Sequence, residues 1–159
     1  MSRSYHFPHL EHFTAGTVGP KGQRAFFIQF GNAGELVSLK VEKAQVHARS
    51  EFLDQLLDDV EIPEDHALAL DLVEPIEAEW VVSTIGVAYQ ELDNEFVLVV
   101  EELTEDEESE SATAQVHLSP SQVQAFVNRS RDLVAAGRPP CAFCGRPLDG
   151  DDGWCACHN

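Results

Sequence analysis

Positive charge is scarce in this sequence. Ten Lys and Arg stand against 28 Asp and Glu, a formal net charge of −18, and no Lys or Arg occurs between Arg49 and Arg129. Neutralising a phosphate backbone takes clustered cations, so the balance argues against nucleic-acid binding. Long apolar runs are lacking as well. None reaches the ~20 residues that a membrane helix needs, and the opening Met-Ser-Arg-Ser-Tyr-His carries no apolar core of a secretory signal. A soluble, cytoplasmic chain without membrane contact is expected. Cysteine is absent before Cys141, so most of the chain has to fold on its apolar core alone. At 159 residues one domain is the default, and roughly 70% of the unfolded surface can be buried.

What is present in excess is carboxylate. The run Glu101-Glu102-Leu-Thr-Glu105-Asp-Glu-Glu-Ser-Glu110 repels itself and prefers water, which makes 104–111 a loop. An acidic surface of this kind serves solubility. It also steers and selects a partner with a basic surface.

Two stretches repeat one order of elements. In the first, Phe13–Val18 ends at the Gly19-Pro20-Lys21-Gly22 turn, Arg24–Phe30 is rich in strand formers, and Gly31-Asn32-Ala33-Gly34 closes a hairpin into the alternating Glu35–Glu42. Val46, Phe52, Leu53, Leu56, Leu57 and Val60 then recur at helical spacing, predicting an amphipathic helix over about Lys43–Val60. In the second, Trp80–Gln90, a turn at 92–95, Phe96–Leu103 and Ala112–Leu118 read as strands. Ser119-Pro120-Ser121-Gln122 opens a helix with a capping residue, a first-turn proline and a glutamine that reaches back. Gly16-Thr-Val-Gly19 matches Ser83-Thr-Ile-Gly86, and Lys43-Ala-Gln-Val46 matches Pro120-Ser-Gln-Val123, which suggests an internal duplication. Gly86 reads as a bend or bulge. The expected fold is α+β, with two β-β-β-α units over about 13–60 and 80–137 and a linker at 61–79. Antiparallel sheets, each backed by a helix, would pack about a pseudo-twofold axis. The runs Phe26-Phe27-Ile28 and Phe96-Val-Leu-Val-Val100 suit strands covered on both faces.

The segment 139–159 follows this 1–138 domain and holds all four cysteines: Cys141, Cys144, Cys155 and Cys157. In a reducing compartment the Cys141-x2-Cys144 spacing favours metal over disulfide. Zinc takes four soft ligands in a tetrahedron, and Gly145 suits the tight turn that follows the first pair. Cys155 is the third ligand; His158 at normal knuckle spacing is the fourth, with Cys157 as the alternative. A set saturated by Cys and His leaves no place for a reacting water, so the zinc is expected to be structural. Phe143, Leu148 and Trp154 would dock this knuckle on the domain.

Other chemistry is thin. His6, His9 and His12 place three imidazoles at spacings of three, which raises a second metal site, but Pro8 breaks helical register and solvated side chains are the simpler expectation. His47, His66 and His117 are isolated. No phosphate-binding glycine loop in a strand–loop–helix setting, no zinc-protease helix motif and no nucleophile elbow occurs. No catalytic residue is assigned.

The strings Phe13-Thr-Ala-Gly-Thr-Val-Gly19, Phe26-Phe-Ile-Gln29, Glu42-Lys-x-Gln-Val46, Thr84-Ile-Gly86 and Gly137-Arg-Pro-Pro-Cys141-x-Phe-Cys-Gly-x-Pro-Leu-Asp149 resemble an actinobacterial family of conserved proteins of unknown function. The resemblance runs nearly end to end. It carries no enzymatic activity over, and it implies partnership with a ParA-type chromosome-partitioning ATPase. Family members place a His two residues before the third Cys; here Gly153 stands at that position, which puts transfer of the family's ligand set in doubt. The functional expectation is a non-enzymatic adaptor or regulator with a structural zinc. The alternatives are a small enzyme with a pocket between the halves, near Thr17 and Thr84, and nucleic-acid binding through the knuckle, which the charge disfavours.

Overall fold

The computed structural model describes residues 2–20, 22–62, 71–106 and 110–136. Leu68 and Leu70 of the expected linker, part of the acidic loop and the whole 139–159 segment lie outside these described residues. The elements run β1 (Tyr5–Phe7), β2 (His12–Val18), β3 (Ala25–Asn32), β4 (Glu35–Val41), α1 (Lys43–Leu57), β5 (Ala78–Gln90), β6 (Glu95–Glu102), β7 (Thr113–Leu118) and α2 (Pro120–Ala136). The two β-β-β-α units are therefore present. The α1 helix ends three residues before the expected Val60, and β1 adds a strand where only an exposed terminus was expected.

The expected pair of separate antiparallel sheets is not what forms. One seven-stranded mixed sheet runs β1-β7-β6-β5-β4-β3-β2. Each unit is antiparallel inside, but β4 pairs with β5 in parallel, and so does β1 with β7. The physical reason is edge satisfaction. Each three-stranded meander exposes unpaired N–H and C=O groups along its outer strands. Joining β4 to β5 removes two such edges, and the α1-containing crossover lets the strands run the same way.

The sheet is strongly curled. Laid flat, its edges would stand about 29 Å apart at ~4.8 Å per strand, whereas the short connection from Phe7 to His12 can span at most about 18 Å. β1 and β2 are thus brought together at opposite ends of the strand order. Phe7 meets Phe30 edge-on, with ring centroids 5.8 Å apart, and Phe13 packs on Phe126 at 4.9 Å. Asn32 straps the connection down: Oδ1 accepts the Glu11 N–H at 2.7 Å and Nδ2 donates to His9 O at 2.9 Å.

The inner face carries the core. Phe13, Ala15, Ile28, Phe30, Leu39, Val82, Phe96, Leu98 and Val116 pack against Val46 and Leu53 of α1 and Val123, Phe126 and Val127 of α2. Both helices open with the same device. Gln45 Oε1 accepts the Glu42 N–H at 2.8 Å, while its Nε2 donates to Ser83 O at 2.9 Å. Gln122 Oε1 accepts the Ser119 N–H at 2.9 Å, and its Nε2 donates to Leu10 O at 2.8 Å. Each glutamine so ties its own helix start to the chain near the first strand of the other unit. Arg131 of α2 reaches Glu51 at 3.1 Å and Asp54 at 2.8 Å on α1.

Gly86 is not the bulge. It keeps regular register with Val99, and the irregularity in β5 falls between Val82 and Thr84.

Candidate functional site

The outer face of the sheet differs between its halves. Counting back from the helix caps at Glu42 and Ser119 and across the ladders, Ser38 corresponds to Gln115, Gln29 to Val99, Thr14 to Gly86, and Gly16 to Ala88. In the first half, residues 71–76 cross this face as a strap that bends at 74–75, where the Glu74-Pro75 peptide is cis. Gln29, only 1% exposed, grips it: Nε2 donates to Val73 O at 2.9 Å and Oε1 accepts the Val73 N–H at 2.8 Å. His12 Nε2 and Ser38 Oγ complete the amide's surroundings at 2.9 and 3.1 Å. Leu72 sits against Gly16, where any Cβ would overlap it. Arg129 of α2 donates to Ala15 O at 3.2 Å and lies 3.7 Å from Asp71 of the strap.

The matching face of β5, β6 and β7 carries no such strap among the described residues. Gly86 and Ala88 are exposed, a Cβ at Gly86 would meet only Val99 O at 3.7 Å, and Val81, Val99 and Leu103 keep 37%, 38% and 56% of their surfaces. Phe26-Phe27-Ile28 is covered on both faces, as expected; in 96–100 Val97 is buried too, and Val99 is the residue of that run left exposed, at 38%. Glu95 and Glu101 stand at the open strip, and the whole segment 50–128 contributes no Lys or Arg. Such a centre with a charged rim has the anatomy of a protein interface.

The three N-terminal histidines do not converge. His6 approaches His117, with ring centroids 5.7 Å apart; His12 bonds Gln29; and His9 lines a cleft of about 560 Å³ with Glu11, Asp93, Glu95, His117 and Gln122. Among the described residues no group of three or more His, Cys, Asp or Glu is placed to hold a metal ion. The cleft's best-positioned pair is His117 Nδ1 and Glu95 Oε1 at 2.7 Å, with Gln115 Nε2 at 3.2 Å from the other ring nitrogen. With the amide donating to Nε2, Nδ1–H donates to Glu95, and both nitrogens are engaged. That arrangement positions the ring; it presents no free base to a substrate.

The proposed pocket residues do not meet either. Thr17 pairs with Phe26 on β3, whereas Thr84 pairs with Glu101 and donates to its carboxylate at 3.4 Å on the outer face. Three of the scarce cations gather in the first half instead. Arg24, Lys40 and Lys43 line an open groove of about 580 Å³, where Arg24 lies over the Phe26 ring and donates to Leu133 O at 3.1 Å.

Of the residues singled out from the sequence, Cys141, Cys144, Cys155, Cys157 and His158 lie outside the described residues. The open face was missed altogether. Its signal was present as a strand whose apolar run lacks polar alternation, and that same signal accompanies full burial. No described helix is long and apolar enough to cross a membrane.

No curated protein and no solved structure matches the chain. A family model does, over residues 5–155. The chain belongs to a family described as protein of unknown function, DUF3090.

Proposed function

We propose that this protein is a non-enzymatic adaptor or regulator: a duplicated β-β-β-α body that binds a partner protein with a basic surface and carries a structural zinc in its C-terminal segment. The observation that carries this reading is the open strip on the outer face of β5–β7, apolar at its centre and acidic at its rim, in a stretch, 50–128, without Lys or Arg. The paired glutamine caps, each reaching the other unit, support the duplication. The donor set fits zinc on chemical grounds, since Cys141, Cys144, Cys155 and either His158 or Cys157 supply four soft ligands and leave no open coordination place. The zinc would order a segment short of apolar residues. A cytoplasmic location follows from reduced, metal-binding thiols.

Two measurements test this. Metal analysis of the purified chain is expected to find about one zinc per molecule, lost in the Cys141→Ser/Cys144→Ser variant; zinc-free wild type removes the staple. Native co-purification is expected to retain a stable protein partner, for which a ParA-type ATPase is the first candidate, in a salt-sensitive complex. Isolation of the chain alone together with turnover of a small molecule overturns the adaptor reading.

A further inference from the structure

On the protein-binding reading, we infer that the outer face of β5, β6 and β7 receives an extended basic segment of the partner. The segment lies across the strands as residues 71–76 lie across β2, β3 and β4. The first half displays the mode of recognition in full. A stretch of chain crosses the face, one side-chain amide satisfies both backbone groups of Val73, and a residue without Cβ makes room for Leu72.

The second half offers comparable elements, with Val99 at the position of Gln29, and no strap among the described residues is seated on them. Gly86 and Ala88 lie side by side on β5 and form a notch for an apolar side chain, as Gly16 does for Leu72. Gln115, at the position of Ser38, puts an amide on the outer face beside the half-buried His117. Val99 floors the strip beside the buried Val97, and Leu103, whose N–H donates to Val81 O at 2.7 Å, extends it with Val81. Exposed β-branched and leucine side chains placed together across a sheet cost solubility unless something covers them.

Charge decides which kind of occupant. The strap on the first face is acidic, with Asp71 and Glu74, and a cation, Arg129, stands at the edge where it arrives. On the second face the signs are reversed. Glu95 and Glu101 border the strip and 50–128 holds no Lys or Arg, so the complementary segment alternates apolar residues with Lys or Arg. In an extended chain successive side chains point to opposite sides. Apolar residues would enter the notch while the basic ones reach the carboxylates at the rim.

The probe is a fluorescent octapeptide of alternating valine and lysine around one leucine, with its glutamate counterpart as control, titrated against the full-length zinc-loaded chain by anisotropy. The lysine peptide is expected to bind and to weaken about fivefold or more between ~50 and ~300 mM salt, and the glutamate peptide not to bind. Val99→Lys is expected to weaken binding about tenfold, and Ala88→Val about threefold by filling the notch; Leu36→Lys, in the first half, is expected to leave it unchanged. Thermal melts of each variant check folding. Equal binding of both peptides, or indifference to Val99→Lys, overturns the proposal. So does binding that appears only in Cys141→Ser/Cys144→Ser, which would make the chain's own C-terminal segment the occupant, or self-association abolished by Val99→Lys, which would make it a second copy. In native co-purification, retention of a partner by wild type and Val99→Lys alike removes this surface and leaves the adaptor reading standing. Retention by neither removes that reading itself.

Discussion

Thr14, Gln29 and Ser38 on one half of the sheet, and Gly86, Val99 and Gln115 on the other, hold matching positions and meet opposite environments. The polar set is buried and the largely apolar set is open. This inverts the usual sorting, and hydrogen bonding explains the covered side. A strap crossing a sheet face brings backbone N–H and C=O groups with it, and these need partners once water is excluded. Gln29 supplies both. The open side needs no such partner and tolerates valine and glycine until something lies on it.

The largest expected effect comes from breaking the grip. Gln29→Ala leaves the Val73 backbone groups unpaired under cover and is expected to cost about 2–4 kcal/mol in denaturant unfolding. Val99→Ser at the matching open position is expected to fall within ~0.5 kcal/mol; equal costs would dissolve the contrast between the faces. Next, Gly16→Val forces Leu72 out of its seat and is expected to cost about 1–3 kcal/mol. Gly86→Val is expected to be neutral or slightly stabilising, because a β-branched residue suits an uncrowded strand. Hydrogen exchange at Val73 separates release of the strap from global unfolding.

The helix caps sharpen the comparison from the other side. Gln45→Ala and Gln122→Ala each remove a cap and a tie to the other unit, and similar losses of about 1 kcal/mol are expected for both. A several-fold difference would count against equivalent halves. The smallest effect concerns β1, which has no counterpart in the first unit. Burial first, then the charge and hydrogen bond of Glu79, raise the Tyr5 phenol above its usual range. The folded state holds that proton more tightly than the unfolded chain. The resulting stability is complete below the unfolded value of about 10 and is lost as pH rises through the folded one. Tyr5→Phe is expected to flatten the alkaline limb of a stability–pH curve.

Much of the fold is legible in local pattern. Phe26–Phe30 and Glu35–Val41 are bounded by turns rich in glycine, and Ser119-Pro120-Ser121-Gln122 announces a helix start that the structure places at Pro120. These features act over a few residues, through backbone preferences and the i to i+3 reach of a capping side chain. What escaped local pattern was long-range. The β4–β5 junction, the short β1 along β7 and the curl that joins the sheet's two ends depend on pairings across dozens of residues. A histidine triplet such as His6, His9 and His12 looks like one site in the chain and is scattered by strand alternation and the connection at Pro8.

Composition and periodicity by themselves determined an α+β chain with two β-β-β-α units, an acidic central stretch without cations, and soft metal donors confined to the C-terminal segment. Tertiary structure alone decided that the units share one mixed sheet and that, among the described residues, a strap crosses one half while Val99 in the other stays exposed. The reason is that burial of a strand's second face depends on what else crosses it. Nothing inside Phe96–Val100 records that residues 71–76 lie over the other half.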